Sequence, residues 1–119
     1  MMIISANDKQ VDFVLLGGDL FHEQKPSRKT YYKASKIFNK QVFGDKRPGR
    51  FETFQYSRAN YMNDDLSVKL PIFSIHGNHD DPTGLDMLSS LDQACINHYL
   101  NYFGKVKNIE KIEVTPVLF

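Results

Sequence analysis

The sequence has little of several features that would place it in a secreted or membrane class. It contains a single cysteine, Cys95, so an intrachain disulfide is impossible and the composition is not that of a secreted disulfide scaffold. No apolar run approaches the roughly 18 residues of a membrane-spanning helix, and the first residues lack the basic and long apolar regions of a signal peptide. We therefore predict a soluble protein of a reducing compartment with no membrane partner.

An excess of one charge is also missing. Lys and Arg number 15 and Asp and Glu number 14, so the formal charge is +1 and the composition carries no overall footprint of nucleic-acid binding. Any contact with nucleic acid must therefore be local or lie outside this sequence. What is present is typical of a folded chain, with 41% hydrophobic and 13% aromatic residues and no low-complexity tract. A length of 119 residues allows one small domain.

Two apolar segments have the composition of buried strands. The first is VDFVLL, which Gly17 and Gly18 follow, and the second is LPIFSIHG. Such continuous apolar runs are typical of strands that a parallel sheet buries on both faces. We expect Asp19 and Asn78 at the carboxyl ends of these strands, where open α/β sheets bind ligands. The last segment, IEKIEVTPVLF, predicts a third strand.

Two amphipathic helices are predicted between and after these strands. Ser27 is a suitable N-cap for a helix that runs to about Gln41, with lysines between its apolar positions. A second helix is predicted from Gly84 to Tyr99. Its apolar stripe is wider than one small core needs and includes Leu85, Leu88, Leu91 and Cys95. The order of strands and helices predicts an α/β fold, and both ends of the chain look cut.

In the connection at about residues 44–68, the apolar residues do not recur with the period of a helix or a strand. Loops of this length in compact domains are usually functional or disordered. Its aromatic residues favour docking on a partner over free solvation, and they are Phe51, Phe54, Tyr56 and Tyr61. A disordered surface insertion is the alternative.

The polar residues at the two strand ends carry the chemistry. Two-metal phosphoesterases need a carboxylate that bridges two divalent ions and neutral ligands that complete each site. Asp19 can bridge, Asn78 offers an amide oxygen, and His79 can act as an acid or as a positive partner of a phosphate. Taken alone, Asp19 is typical of a helix cap and GNHD of a turn. The pairing of GGDLFH with GNHD is far less expected by chance than either motif.

These two motifs resemble motifs two and three of the calcineurin-like metallophosphoesterases. Longer segments, VDFVLLGGDLFHEQKPSRKT and LPIFSIHGNHDDPTG, are similar to the eukaryotic meiotic recombination 11 family, the nuclease subunits of the MRN break-repair complex. The resemblance implies that residues 1–119 form a single partial α/β metallophosphoesterase core, truncated at both ends. It also implies a nuclear DNA repair enzyme that uses two Mn²⁺ ions as a 3′-to-5′ exonuclease and an endonuclease.

The resemblance implies roles for four residues. Asp19 matches the family's metal-bridging aspartate, and Asn78 matches an asparagine ligand of one metal. His79 matches the histidine that assists phosphodiester cleavage, and His22 matches a histidine that contacts substrate near the scissile phosphate. The family's remaining metal ligands have no counterpart in this sequence. We therefore expect that the chain alone binds Mn²⁺ weakly and does not cleave DNA.

The resemblance also implies partners besides DNA. Family members form a homodimer through the helices that match residues 27–41 and 84–99, contact nibrin through the 44–68 loop, and bind an ATPase subunit through regions outside this chain. Ordinary packing on the sheet is the alternative for the helices. We expect His76 at the end of its strand and His98 on a helix face, as an ordinary surface or core histidine. Two other functions stay open, a phosphatase or nucleotide phosphodiesterase of the same superfamily and a non-catalytic chain that only dimerises or binds nibrin.

Overall fold

Helices and strands alternate along the chain in the computed structural model, which describes residues 2–45, 59–106 and 110. The elements are α1 (Met2–Asp8), β1 (Val14–Leu16), α2 (Arg28–Val42), β2 (Ile72–Ser74), α3 (Ser90–Ile96) and β3 (Asn101–Tyr102). A single 3-10 turn at Asn60–Met62 precedes β2. The predicted α/β fold class is confirmed. Of the described helices, none is long and apolar enough to cross a membrane.

The three strands form a parallel sheet in the order β1-β2-β3. Leu16 pairs with Ser74, and Phe73 pairs with Asn101. All three residues of the central strand β2 are buried. Because the strands are parallel, the loops that follow β1 and β2 leave the sheet at the same edge.

The prediction that the first strand is buried on both faces is wrong. Val14 and Leu16 are each 7% exposed, whereas Leu15 between them is 57% exposed. Successive side chains of a strand point to opposite faces. β1 is an edge strand, and the core that the described residues form lies on only one face of it. The strand is also shorter than the apolar segment that predicted it.

Helix α2 agrees with the prediction. The Ser27 side chain caps it by accepting a hydrogen bond from the Thr30 N–H at 3.1 Å. Its apolar face packs into the core, where Phe38 is 2% exposed and Val42 is fully buried. The Tyr99 ring stacks on Phe38 with 5.4 Å between the ring centroids. Spacing of the apolar residues therefore located this helix correctly.

The second predicted helix is wrong over its first half. Residues 83–88 form a turn closed by a bridge between Thr83 and Leu88, and helix α3 begins only at Ser90. Gly84 and Met87 have positive φ angles of 81° and 49°, which a helix cannot accommodate. The predicted apolar stripe is therefore split, since Leu91 is buried but the leucines of the turn are exposed.

A capping box fixes the start of α3. The Ser89 N–H donates to Asp92 Oδ2 at 2.8 Å, while Ser89 Oγ accepts from the Leu91 N–H at 3.2 Å. These bonds satisfy N–H groups that have no partner within the helix. The signal, a serine three residues before an acid, is present in the sequence, but the continuous apolar stripe favours an earlier start.

A strand that the sequence analysis did not predict precedes the last segment of the chain. β3 is formed by Asn101 and Tyr102, directly after the turn that ends α3. His98 has a φ of 61° and lies exposed in that turn rather than on a helix face. Most of the predicted strand IEKIEVTPVLF lies outside the described residues.

The two ends of the 44–68 loop are tied together. Phe43 and Val68 form an antiparallel bridge, and the Gly44 N–H donates to the Ser67 carbonyl at 2.9 Å. Residues 46–58, with three of the four aromatic residues of the predicted docking surface, lie outside the described residues. Tyr61, the fourth, packs its ring against Phe73 at 6.1 Å.

A buried pair of asparagines joins the end of this loop to the sheet. The Asn60 N–H donates to Asn101 Oδ1 at 2.7 Å, and Asn101 Nδ2 returns a bond to Asn60 Oδ1 at 3.0 Å. Asn101 Nδ2 also donates to the carbonyl of Ile72. Buried amides are stable only when paired in this way. Residues 59–68 are therefore part of the fold rather than a solvated insertion.

Candidate functional site

The two motifs meet at the carboxyl edge of the sheet. Asp19 follows β1 with a φ of 53°, and Asn78 and His79 follow β2. The His79 N–H donates to Asp19 Oδ1 at 2.9 Å across 60 residues of sequence. The bond fixes the Asp19 carboxylate against the turn that presents Asn78. The parallel pairing of β1 with β2 brings the loops that follow these strands together, as was predicted for a parallel sheet.

A buried aspartate that the sequence analysis missed holds the two loops to each other. Asp80 is fully buried. Its Oδ2 accepts from the Leu20 N–H at 2.8 Å, and its Oδ1 accepts from the N–H groups of Asp19, at 3.2 Å, and Gly77. Both carboxylate oxygens are therefore occupied by backbone donors, so Asp80 positions the site. The available signal was an aspartate directly after the turn, where short acids accept backbone N–H bonds.

Two glycines permit the close approach of the loops. Gly18 has a φ of 106°, and a Cβ there would lie 2.6 Å from the Gly77 Cα. A Cβ on Gly77 would lie 2.7 Å from the Asp19 nitrogen and would also overlap its carboxylate. No larger residue fits between the two backbones. The glycines of GGD and GNH are therefore required by the packing of one motif on the other.

The two histidines predicted to act on substrate lie side by side. The imidazole rings of His22 and His79 stack with centroids 5.0 Å apart and planes inclined by 25°. His22 is exposed and His79 is half-buried. His22 takes no part in capping the helix that follows, because Ser27 does so. Two adjacent imidazoles at a surface can both donate N–H bonds to one anion.

A further polar pair flanks the 77–80 turn. His76 Nδ1 lies 3.4 Å from Asp81 Oδ1, and the Tyr102 ring meets His76 edge-on at 6.2 Å. Burial, together with the nearby carboxylates of Asp92, Asp80 and Asp81, raises the pKa of Tyr102 to about 12. The phenol therefore stays neutral at physiological pH and adds no negative charge beside the site.

The residues present fit part of a divalent metal site. Asp19 and Asn78 are both exposed and offer a carboxylate and an amide oxygen, the hard donors that Mg²⁺ and Mn²⁺ prefer. Within residues 2–45, 59–106 and 110, no three His, Cys, Asp or Glu side chains are grouped closely enough to hold a metal ion. The described part of the chain thus supplies two donors, which fill a minority of an octahedral coordination sphere.

Comparison with known proteins agrees with this geometry. Proteins named double-strand break repair protein MRE11 are 46% identical to the chain in Homo sapiens, 48% in Gallus gallus and 45% in Arabidopsis thaliana, each over 95% of the chain. The chain spans 17% of the length of these relatives. The predicted resemblance to the meiotic recombination 11 family is confirmed by these identities.

A wider family match covers almost the whole chain. Residues 2–117 match the family described as calcineurin-like phosphoesterase. The match includes both loops of the carboxyl edge, with Asp19, Asp80 and the paired histidines. Fold, paired motifs and family match agree, and the chain belongs to the calcineurin-like phosphoesterase family.

Proposed function

We propose that the chain supplies part of a two-metal site that hydrolyses DNA phosphodiesters in double-strand-break repair. The relatives named above are break repair proteins. The observation that carries the proposal is the 2.9 Å bond from the His79 N–H to Asp19 Oδ1, which places the two motifs on one exposed surface. In this proposal the site acts in the nucleus, in a Mn²⁺-dependent 3′-to-5′ exonuclease and endonuclease.

Asp19 and Asn78 would hold the metal ions. Asp19 offers a carboxylate that can bridge two ions, and Asn78 adds a neutral oxygen that does not overcharge the site. When bound, divalent ions neutralise charge on the phosphate and activate water. The protein's own contribution is placement, since Asp80 holds the backbone of Asp19 and the His79 N–H holds its carboxylate.

His79 and His22 would act on the phosphodiester itself. An imidazolium can pair with a phosphate oxygen and can give its proton to a departing alkoxide. Stacking of the rings keeps both imidazoles on the same side of the site. We assign His79 to proton donation and His22 to binding near the scissile phosphate.

Metal binding tests the site without relying on activity. Titration calorimetry of the 119-residue chain with Mn²⁺ should show weak binding that Asp19→Ala abolishes. Asp64→Ala, an exposed acid distant in sequence from both motifs, is the matched control and should bind as the wild type does. Binding that survives Asp19→Ala contradicts the assignment.

Substrate choice separates the nuclease from the two rival functions. A phosphatase of the same superfamily would hydrolyse p-nitrophenyl phosphate, a monoester, whereas a nuclease acts on diesters such as duplex DNA. A non-catalytic scaffold would show no Mn²⁺-induced rise in melting temperature. We infer that the chain alone binds Mn²⁺ but does not cleave DNA, and Mn²⁺-dependent DNA cleavage by it would overturn that inference.

We infer that the chain also pairs with a second copy through the helical segments at residues 27–41 and 84–99. Around the second of these segments, the 83–88 turn and the end of α3 expose large apolar side chains that such a partner would cover. Leu85 is fully exposed, and Met87, Leu88 and Ile96 are 51%, 58% and 75% exposed. Large apolar side chains of this kind are normally covered in a folded protein. We also propose that residues 1–119 form a single domain, in which the 44–68 loop is an insertion that binds nibrin. Assembly with the ATPase subunit is part of the same proposal.

A further inference from the structure

We propose that the outward face of α2 binds the phosphodiester backbone of duplex DNA. The proposal rests on the proposed nuclease function, because it names a surface that would hold the substrate of that site. The surface, which we call the lysine stripe, consists of Lys29, Lys33, Lys36 and Lys40. All four side chains are exposed.

The four lysines lie along one side of the helix. At about 3.6 residues per turn they fall within an arc of roughly 60°. The buried residues Phe38 and Val42 lie on the opposite side of the same helix. The lysine stripe therefore faces directly away from the core and takes no part in holding the fold.

The positive charge of the stripe is not neutralised by the described part of the protein. Helix α2 contains no Asp or Glu. Among residues 2–45, 59–106 and 110, none of the four lysines forms an ion pair with an acid, whereas His76 pairs with Asp81 and Lys105 with Asp92. Lysines three and four positions apart repel one another by a few tenths of a kcal/mol. A bound polyanion would remove this repulsion.

The length of the stripe fits a DNA strand. From Lys29 to Lys40 the helix rises about 16 Å. Each strand of duplex DNA carries one phosphate per about 3.4 Å of helix axis and winds around that axis, so a straight stripe of this length reaches at most the roughly five phosphates that one strand carries over it. Four lysines are enough for the phosphates within its reach. A chain with a formal charge of only +1 thus gathers four cations in one line.

The stripe begins beside the candidate site. Helix α2 follows the loop that carries Asp19 and His22, so its first turn lies at the same edge of the sheet. The ring of Phe21 in that loop stacks on Tyr31 in α2, with centroids 5.8 Å apart. A strand held along the stripe would therefore lead towards the two histidines.

The chemistry of the stripe predicts binding without sequence preference. Lysine is a flexible point charge, and phosphate contacts carry no base information. The same chemistry excludes the stripe as a contact between two copies of the chain, because lysines would face lysines. The stripe and the exposed leucines of the 83–88 turn therefore serve different partners.

The test measures binding of a fluorescein-labelled 20-base-pair duplex by anisotropy in EDTA, where metal-dependent cleavage cannot occur. In the full chain, Lys29→Gln, Lys33→Gln, Lys36→Gln and Lys40→Gln together should weaken binding about tenfold or more at low salt. The slope of log K against log salt should fall by about 0.9 for each phosphate that the variant no longer neutralises. Glutamine keeps helix propensity, so circular dichroism should be unchanged.

A matched pair of single variants sharpens the result. Lys36→Gln should reduce the salt slope by nearly one, whereas Lys9→Gln, at an exposed lysine outside α2, should leave it unchanged. Equal slopes for the quadruple variant and the wild type would overturn the proposal, as would no DNA binding by the wild type. Stripe-dependent binding to phosphatidylserine vesicles without stripe-dependent binding to DNA would also overturn it. Stripe-dependent DNA binding by a chain whose Mn²⁺ binding survives Asp19→Ala would instead reject only the proposed metal site of the nuclease.

Discussion

The turn at residues 77–80 buries a carboxylate, whereas the turn at residues 83–88, only a few positions further on, exposes large leucines. Asp80 is 0% exposed and Leu85 is 104% exposed. The usual preference places leucine inside and aspartate outside. Each turn reverses this preference, and the two reversals have different causes.

Burial of Asp80 is stabilised by three backbone N–H donors from two separate loops. No comparable contact holds the leucines of the second turn, which a bridge between Thr83 and Leu88 closes. The conformation of the first turn is fixed by hydrogen bonds within it and to the loop that carries Asp19. The second turn presents apolar side chains that no residue of the described ranges covers. The difference is the one expected if the first turn belongs to the proposed metal site and the second to the proposed contact between copies.

Removal of the buried carboxylate should have the largest effect. Asp80→Ala leaves three backbone N–H groups without their acceptor, and we expect a loss of at least about 3 kcal/mol in the free energy of unfolding. The neighbouring Asp81→Ala removes an acid whose side chain is 54% exposed, and it should cost less than about 1 kcal/mol. Urea unfolding of the two variants measures the difference. Similar losses would show that burial of Asp80 is not what holds the loops.

Separation of the two loops should have the next largest effect. The Cβ of Gly77→Ala would lie 2.7 Å from the Asp19 nitrogen, and we expect a cost of about 2 kcal/mol together with weaker Mn²⁺ binding. Gly17→Ala is the matched control, because no atom lies within 4 Å of its Cβ position. It should unfold at the same urea concentration as the wild type. Wild-type Mn²⁺ affinity in Gly77→Ala would contradict the proposed arrangement.

The exposed turn should respond in the opposite way. Leu85→Ser with Leu88→Ser should change the free energy of unfolding by less than about 0.5 kcal/mol, because neither side chain is buried within one copy. Sedimentation velocity should show the loss of any dimer that the wild type forms. A dimer that persists in this variant would place the contact elsewhere, and a large loss of stability would show that the turn packs on its own chain.

Tyr102 should give the smallest effect at neutral pH. Its pKa is raised to about 12, so the folded protein keeps the phenol protonated where the unfolded chain ionises. This contribution to stability is complete below pH 10.0 and is lost as the pH rises from there to about 12. Tyr102→Phe should unfold like the wild type at pH 7 and lose less stability at pH 11 in urea titrations. Equal losses of stability at pH 11 in the two proteins would contradict this role of Tyr102. Burial also raises the pKa of Tyr31, so part of the loss at high pH remains in both proteins.

Sequence patterns predicted the parts of the fold whose signals are local. The spacing of apolar residues and the Ser27 cap located α2 because both act within one helix. The strand ends placed Asp19 and Asn78 at one edge because parallel strands allow no other arrangement. The start of α3 was missed because an apolar stripe cannot show where positive φ angles at Gly84 and Met87 interrupt it.

The part of the candidate site that the sequence did not reveal depends on contacts between distant residues. Asp80 is one acid among 14 in the sequence, and its role follows only from bonds to Asp19 and Leu20, about 60 positions away. The stacking of His22 on His79 likewise needs both loops in place. Exposure of Leu85 could not be predicted, since an apolar residue in a turn has the same identity whether covered or not.

Paramagnetic broadening by Mn²⁺ tests the central claim most directly, because it detects weak binding and shows where it occurs. In a backbone-amide NMR titration of the chain, the signals of Asp19, Asn78 and His79 should disappear first, and Asp19→Ala should abolish this selective loss. Signals elsewhere, such as those of Asp64 and Asp65, should persist at the same Mn²⁺ concentration. Uniform broadening, or first loss at another acidic position, would contradict a metal site at the carboxyl edge of the sheet.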